Sequence, residues 1–191
     1  MRLLLVGRPG SGKGTQAKAI SAHFGIAHIS SGDLLRRHVA DDTQLGRTIA
    51  GIMANGDLVP DGVVMDVLRR PVEAASKAGG YVLDGFPRTL AQAESAYLIA
   101  KDIGAWVQVA MLLDVAREVA MARMLGRAEG RTDDREDVIR HRQDAFDQVT
   151  PSMLDYYARR ETLIRIDSDR PVDDVAADAI AALEQIRPTL S

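Results

Sequence analysis

Cysteine is absent from the 191 residues, and with it go disulfides, thiolate zinc sites, iron–sulfur clusters and cysteine nucleophiles. Aromatic residues make up only 4% of the chain, so its core has to be aliphatic, built from Leu, Val, Ile, Ala and Met. No long apolar run occurs. The opening Leu3-Leu4-Leu5-Val6 is too short for a signal-peptide core or a membrane span, which points to a soluble, cytoplasmic protein. A basic excess is missing too: the formal net charge is −3, which argues against a general nucleic-acid binder. Lysine is scarce, since 20 of the 24 basic residues are arginine. Asparagine occurs once, as Asn55 before Gly56, so the Asn-Lys-x-Asp signature of guanine recognition cannot occur.

What is present reads as one domain, since 191 residues is close to the ~150 typical of a single unit and enough to bury a full core. Short apolar strands are expected at 2–6, 25–29, 80–84, 105–113 and 162–167. Helical patterns separate them: 13–24, 34–40, 44–54, 61–78, a stretch to about Ala100, one to about Leu125, 135–160 and 172–186. Capping residues are expected at Ser30 to Asp33, at Asp61 and at Asp114, an irregularity at Pro71 and an interruption near Thr150-Pro151. Strands alternating with amphipathic helices predict an α/β fold, a five-stranded parallel sheet with helices on both faces. In such sheets ligands bind at the carboxyl ends of the strands.

The first strand runs into Gly7-Arg-Pro-Gly-Ser-Gly-Lys13, followed by a helix. That is the setting of a phosphate-binding loop: glycines turn backbone N–H groups inward, the helix start adds partial positive charge, and Lys13 reaches the outer phosphates. The strict pattern places Ser or Thr directly after the lysine to bind Mg²⁺. Here Gly14 intervenes before Thr15, so a metal would be held mainly by phosphates and water. Arg123, Arg127, Arg131, Arg135, Arg140 and Arg142 crowd together, either as a phosphate site or as a solvated helix face laced with Asp and Glu.

Gly7-Arg-Pro-Gly-Ser-Gly-Lys-Gly-Thr-Gln16, Ser31-Gly-Asp-Leu-Leu-Arg36 and Asp84-Gly-Phe-Pro-Arg-Thr89 with Gln92 resemble the nucleoside monophosphate kinases, adenylate kinases above all. The resemblance covers essentially the whole chain. It implies a P-loop NTPase three-layer fold with a mobile segment for the monophosphate over 30–59 and a lid over 126–136. It implies the reaction ATP + AMP = 2 ADP with Mg²⁺. Gly10, Ser11, Gly12, Lys13, Gly14 and Thr15 would wrap the ATP phosphates, with Arg127 on them and Arg123 and Arg170 at the ATP base. Ser31, Arg36, Asp57, Leu58, Val59, Gly85, Phe86, Pro87, Arg88, Gln92, Arg131 and Arg142 would hold AMP. Lys13, Arg88, Arg127, Arg131, Arg142 and Asp84 would form the catalytic set, Asp84 acting on Mg²⁺ through water.

Position 31 is Ser where adenylate kinases commonly carry Thr and pyrimidine kinases Ala; its hydroxyl, with Gln92, favours adenine. Only Ala128-Glu129-Gly130 separates Arg127 from Arg131, so the lid resembles the short form and no structural zinc is expected. Gly56, Gly62, Gly126 and Gly130 are hinges or ordinary turn glycines, and Asp133 and Asp134 pair with lid arginines or cap the next helix. The resemblance also suggests a cis Phe86–Pro87 bond. No general base is expected, because the AMP phosphate is already anionic, and His23, His28, His38 and His141 read as structural or solvated. The expected partners are ATP, AMP and ADP, with no nucleic acid or membrane, acting on a monomer. Alternatives are a pyrimidine (UMP/CMP) monophosphate kinase, a P-loop ATPase, and a nucleotide sensor that closes without turnover.

Overall fold

A computed structural model describes residues 1–126 and 135–189. The elements run β1 (Arg2–Val6), α1 (Lys13–Phe24), β2 (Ala27–Ser30), α2 (Ser31–Ala40), α3 (Gln44–Ala54), α4 (Asp61–Lys77), β3 (Tyr81–Asp84) and α5 (Leu90–Asp102). They continue with β4 (Val109–Asp114), α6 (Arg117–Leu125), α7 (Glu136–Ala158), β5 (Leu163–Asp167) and α8 (Val172–Ile186), before a 3-10 turn at Arg187–Thr189. The five strands form one parallel sheet in the order β2-β3-β1-β4-β5, as expected from the alternation of strand and helix.

Both faces of the sheet are covered, so each strand reads as a continuous apolar run. Leu3 and Leu5 of β1 face α1 and α8, packing with Ala17, Ile20, Val175, Ala179 and Leu183. Leu4 and Val6 point the other way, onto Ala93 of α5 and Met153, Tyr156 and Tyr157 of α7. On that same face, Ile29, Tyr81 and Leu83 pack with Leu35, Ile49, Val64 and Leu68 from α2, α3 and α4.

The differences from the sequence expectation have physical reasons. Helix α2 begins at Ser31 rather than Leu34, because Ser30 both ends β2 and caps the helix, its Oγ accepting from the Asp33 N–H at 3.2 Å. Asp61 is the first residue of α4 rather than its cap, which is Pro60. Asp114 does not cap α6: it pairs with Asp167 in the β4–β5 ladder, and the cap position belongs to Ala116. Helix α7 is not interrupted at Pro151. Buried side chains flank the proline on both sides, Val138 and Ile139 before it and Met153, Tyr156 and Tyr157 after it. Their packing outweighs the ~3 kcal/mol that an interior proline costs a helix. Strand β4 starts at Val109, later than the expected Ala105, whose N–H instead bonds the Ala100 carbonyl at 2.8 Å.

Candidate active site

The register brings three turns to one level. Asp84, the last residue of β3, pairs with Leu5 of β1 and Ser30 of β2, so the segments after all three strands emerge side by side. The glycine-rich loop leaves β1, the Ser31 helix leaves β2 and the Gly85 turn leaves β3.

Gly10 and Gly12 hold left-handed backbone at φ 88° and 89°. A side chain at Gly10 would also put its Cβ 2.2 Å from the Ala120 carbonyl, so the loop needs glycine there for conformation and for space. Gly12 is the N-cap of helix α1 and supplies no side-chain cap, leaving the helix's first N–H groups to a ligand. The Lys13 ammonium lies across the loop, donating to the carbonyls of Gly7 at 2.7 Å and Arg8 at 3.0 Å.

Among the described residues only four buried side-chain polar atoms lack a hydrogen-bond partner: Ser11 Oγ, Gln16 Oε1, His28 Nε2 and Ser31 Oγ. Ser11 sits in the phosphate loop, and Ser31 lines the pocket expected for AMP. Buried hydroxyls of this kind are able to bond a ligand oxygen or nitrogen. Ser31→Ala is therefore expected to raise the stability of the ligand-free protein by about 1 kcal/mol, read as a higher urea midpoint at unchanged m. An unchanged or lowered midpoint would show that the hydroxyl is satisfied in solution.

That pocket is walled by Ser31, Arg36, Asp57, Leu58, Val59, Gly85, Phe86, Arg88, Gln92 and Arg142. Three of these are guanidinium groups, the side chain suited to a phosphate. Arg88 is held by its Nε donating to the Gly85 carbonyl at 2.7 Å. Arg36 donates to Asp33 at 2.5 Å. Gly85, at φ 85°, would place a Cβ 2.6 Å from Ser31 Oγ. The cavity encloses about 50 Å³, well under the ~300 Å³ at the small end of ligand sites. Pro87 lines a larger cavity of about 690 Å³ bounded by α4, α5, the end of α7 and the sheet. That cavity holds no phosphate-loop residue and no arginine of the pocket described above. The Phe86–Pro87 peptide bond is cis.

The 30–59 segment touches α7 across the pocket mouth. A Cβ on Gly56 would lie 2.8 Å from Val138 and 2.9 Å from Arg142, and His141 Nε2 meets Asp57 Oδ1 at 2.8 Å. Asp84, 9% exposed, has no side-chain partner among the described residues. Arg123 donates to the Ser168 carbonyl at 2.9 Å, tying α6 to the loop after β5. Arg170 pairs with Asp178 and Asp174 of α8. The remaining arginines of the cluster divide: Arg135 with Asp137 and Arg140 with Glu136 form the solvated face. Arg127, Arg131, Asp133, Asp134 and Gly130, with most of the expected lid, lie outside the described residues.

Sequence reasoning missed a brace beneath the phosphate loop. Arg8 donates to Gln143 Oε1 and Asp147 of α7, and fully buried Gln143 donates back to the Pro9 carbonyl at 2.8 Å. Its signal was available: Gln143 falls four residues after Ile139, on the inward stripe of the helix, where a polar side chain needs a reason. Gly32, Leu35, Met53, Gly56 and Val64 also line the pocket unannounced, because only the folding of α2, α3 and α4 over β3 brings them there.

A model of the adenylate kinase family matches residues 5–162. An adenylate kinase of Kocuria rhizophila is 41% identical over 186 residues, covering 96% of this chain and 99% of its own length. One from Stenotrophomonas maltophilia is 40% identical over 186 residues, with 96% and 100% coverage. One from the archaeon Methanococcoides burtonii is 36% identical, with 98% and 100% coverage. That last alignment runs over 215 positions, so this relative carries residues that the 191-residue chain lacks.

Proposed function

The chain belongs to the adenylate kinase family of phosphotransferases, and from that premise we propose that it catalyses ATP + AMP = 2 ADP with ATP on the 7–15 loop and AMP in the arginine-walled pocket. The observation that carries this reading is the adjacency of the two: the loop follows β1, the pocket is built on the turns after β2 and β3, and β1 and β3 are neighbours in the sheet. An anion held in each would meet end to end.

In the proposed reaction an oxygen of the AMP phosphate attacks the terminal phosphorus of ATP in line. The new P–O bond forms as the bond to the β-phosphate bridging oxygen breaks, and ADP leaves. The nucleophile is already anionic, so no side chain has to remove a proton. Catalysis is then positioning and charge neutralisation. Lys13 and the α1 N-terminus take the donor phosphates, Arg36, Arg88 and Arg142 the acceptor. Arg127 and Arg131 complete the set from the proposed lid over 126–136. Bound Mg²⁺ would supply positive charge that offsets that of the ATP phosphates, and the Asp84 carboxylate at the end of β3, which has no side-chain partner among the described residues, would hold it through water. Arg123 and the backbone at Arg170 flank the ATP base in this reading.

Ser31 and Gln92 would read the AMP base, with the backbone of Asp57, Leu58 and Val59 closing over it and Gly85 and Phe86 forming the floor. The 50 Å³ pocket supports a 30–59 segment that swings out to admit AMP and back to exclude water. The same proposal has the enzyme act as a monomer in the cytoplasm, a setting that suits a cysteine-free chain. No helix among the described residues is long and apolar enough to cross a membrane.

A coupled assay with Mg·ATP and each of AMP, GMP, CMP, UMP or no acceptor tests the proposal. Turnover is expected with AMP. Preference for UMP or CMP would move the chain to the pyrimidine kinases, and ATP consumption without acceptor would overturn the kinase reading. EDTA is expected to abolish turnover while leaving the melting temperature of the nucleotide-free protein unchanged; a fall would reveal a structural metal.

A further inference from the structure

Gln92 occupies the wall of the acceptor pocket and is only 2% exposed, yet both ends of its amide are engaged from behind. Its Nε2 donates to Asp61 Oδ1 at 2.6 Å, and its Oε1 accepts the backbone N–H of Arg88 at 2.7 Å. Asp61 opens α4, Gln92 lies in the first turn of α5, and Arg88 sits in the turn after β3, so three separate elements converge on one side chain. The Thr89-x-x-Gln92 spacing would by itself read as a helix capping box, in which the glutamine reaches back to the cap residue's own N–H. Thr89 does cap α5, its Oγ1 accepting from the Gln92 N–H at 3.2 Å. The Gln92 side chain does something else.

We infer that Asp61 is a specificity-determining residue: it sets the orientation of the Gln92 amide and so selects 6-amino over 6-oxo purine monophosphates. A carboxylate can only accept and a backbone N–H can only donate, so these two partners decide which end of the amide is oxygen and which is nitrogen. Rotating the amide by half a turn would set its oxygen against the Asp61 carboxylate and its NH₂ against the Arg88 N–H, losing both bonds and opposing like dipoles. In the held orientation Gln92 retains one N–H and one carbonyl lone pair without a partner among the described residues. Adenine offers the complement, an acceptor at N1 and a donor at N6. Guanine and hypoxanthine offer the reverse, a donor at N1 and an acceptor at O6. The same rule disfavours uracil. Cytosine shares the adenine pattern and would have to be rejected by size.

This inference rests on the proposed placement of AMP, and AMP against IMP is the pair that tests it, because the two differ only at this edge. The wild-type protein is expected to prefer AMP strongly in kcat/KM. If it does not, base reading at Gln92 fails, and the inference with it. Asp61→Asn keeps the volume and the start of α4 but lets the partner both donate and accept, so a rotated amide would lose only its Arg88 bond instead of both. The AMP-to-IMP ratio is expected to narrow about tenfold, through a higher KM for AMP with IMP unchanged or improved. Asp61→Ala, which removes the acceptor, is expected to narrow it at least as far. A wild-type ratio in a folded Asp61→Asn protein, or equal losses for AMP and IMP, would overturn the orienting role and leave Asp61 a structural residue of α4, while the AMP kinase reading stood.

Discussion

Lys13→Met is expected to leave a folded protein whose turnover falls by about 10³-fold. The substitution keeps an unbranched apolar stem of nearly the same length and removes the ammonium. In the ligand-free protein that ammonium bonds the carbonyls of Gly7 and Arg8, so its loss should destabilise the fold by only about 1–2 kcal/mol. With ATP on the loop, the same group would meet phosphate charge in a site sheltered from water, where a fixed positive charge acts most strongly on the transition state. The check is kcat in the coupled assay beside a thermal melt. Turnover within tenfold of wild type, in a variant that melts normally, would remove Lys13 from the transfer.

Arg88→Ala is expected to be comparably severe, with kcat lowered about 10³-fold and KM for AMP raised. Arg88 is aimed by its own bond to the Gly85 carbonyl, beside the residue whose missing side chain makes room for Ser31. Arg88→Lys should not restore the rate. An ammonium supplies charge but neither the planar fork nor the Nε contact to Gly85 that directs it. Full rescue by lysine would mean that the position needs only a positive charge. Near-normal kcat in Arg88→Ala, with only KM raised, would make the residue a binding group rather than a catalytic one.

How much of this was legible in the chain can be judged residue by residue. Helix α1 runs from Lys13 to Phe24 and α8 from Val172 to Ile186, each at the expected bounds, because glycine punctuation at one end and proline at the other are local signals. Leu3 to Val6 read as a strand buried on both faces, and they are. Local signals also misled. Asp114 resembles a cap but is engaged in the β4–β5 ladder, and Pro151 resembles a break but is carried through by packing on both of its sides. Gln143 gave only a periodic hint, and its contact with Pro9 spans a separation that no window of sequence covers.

The amino-acid sequence alone determined the parallel α/β architecture, the phosphate loop and the residue types that would surround two nucleotides. These depend on short-range order: apolar periodicity, glycines where the backbone turns left-handed, a lysine opening a helix. Only the tertiary structure decided which of those residues share a wall. The strand order β2-β3-β1-β4-β5 set Ser31 against Gly85, carried Gly56 and Asp57 onto α7, and left Pro87 out of the pocket that Phe86 lines. It also placed Asp61 against Gln92, 31 positions away, converting an amide that can rotate freely in the unfolded chain into one with a fixed donor end and a fixed acceptor end. The reason is that a hydrogen bond's direction depends on where its partner sits in space, and a linear sequence does not carry that information.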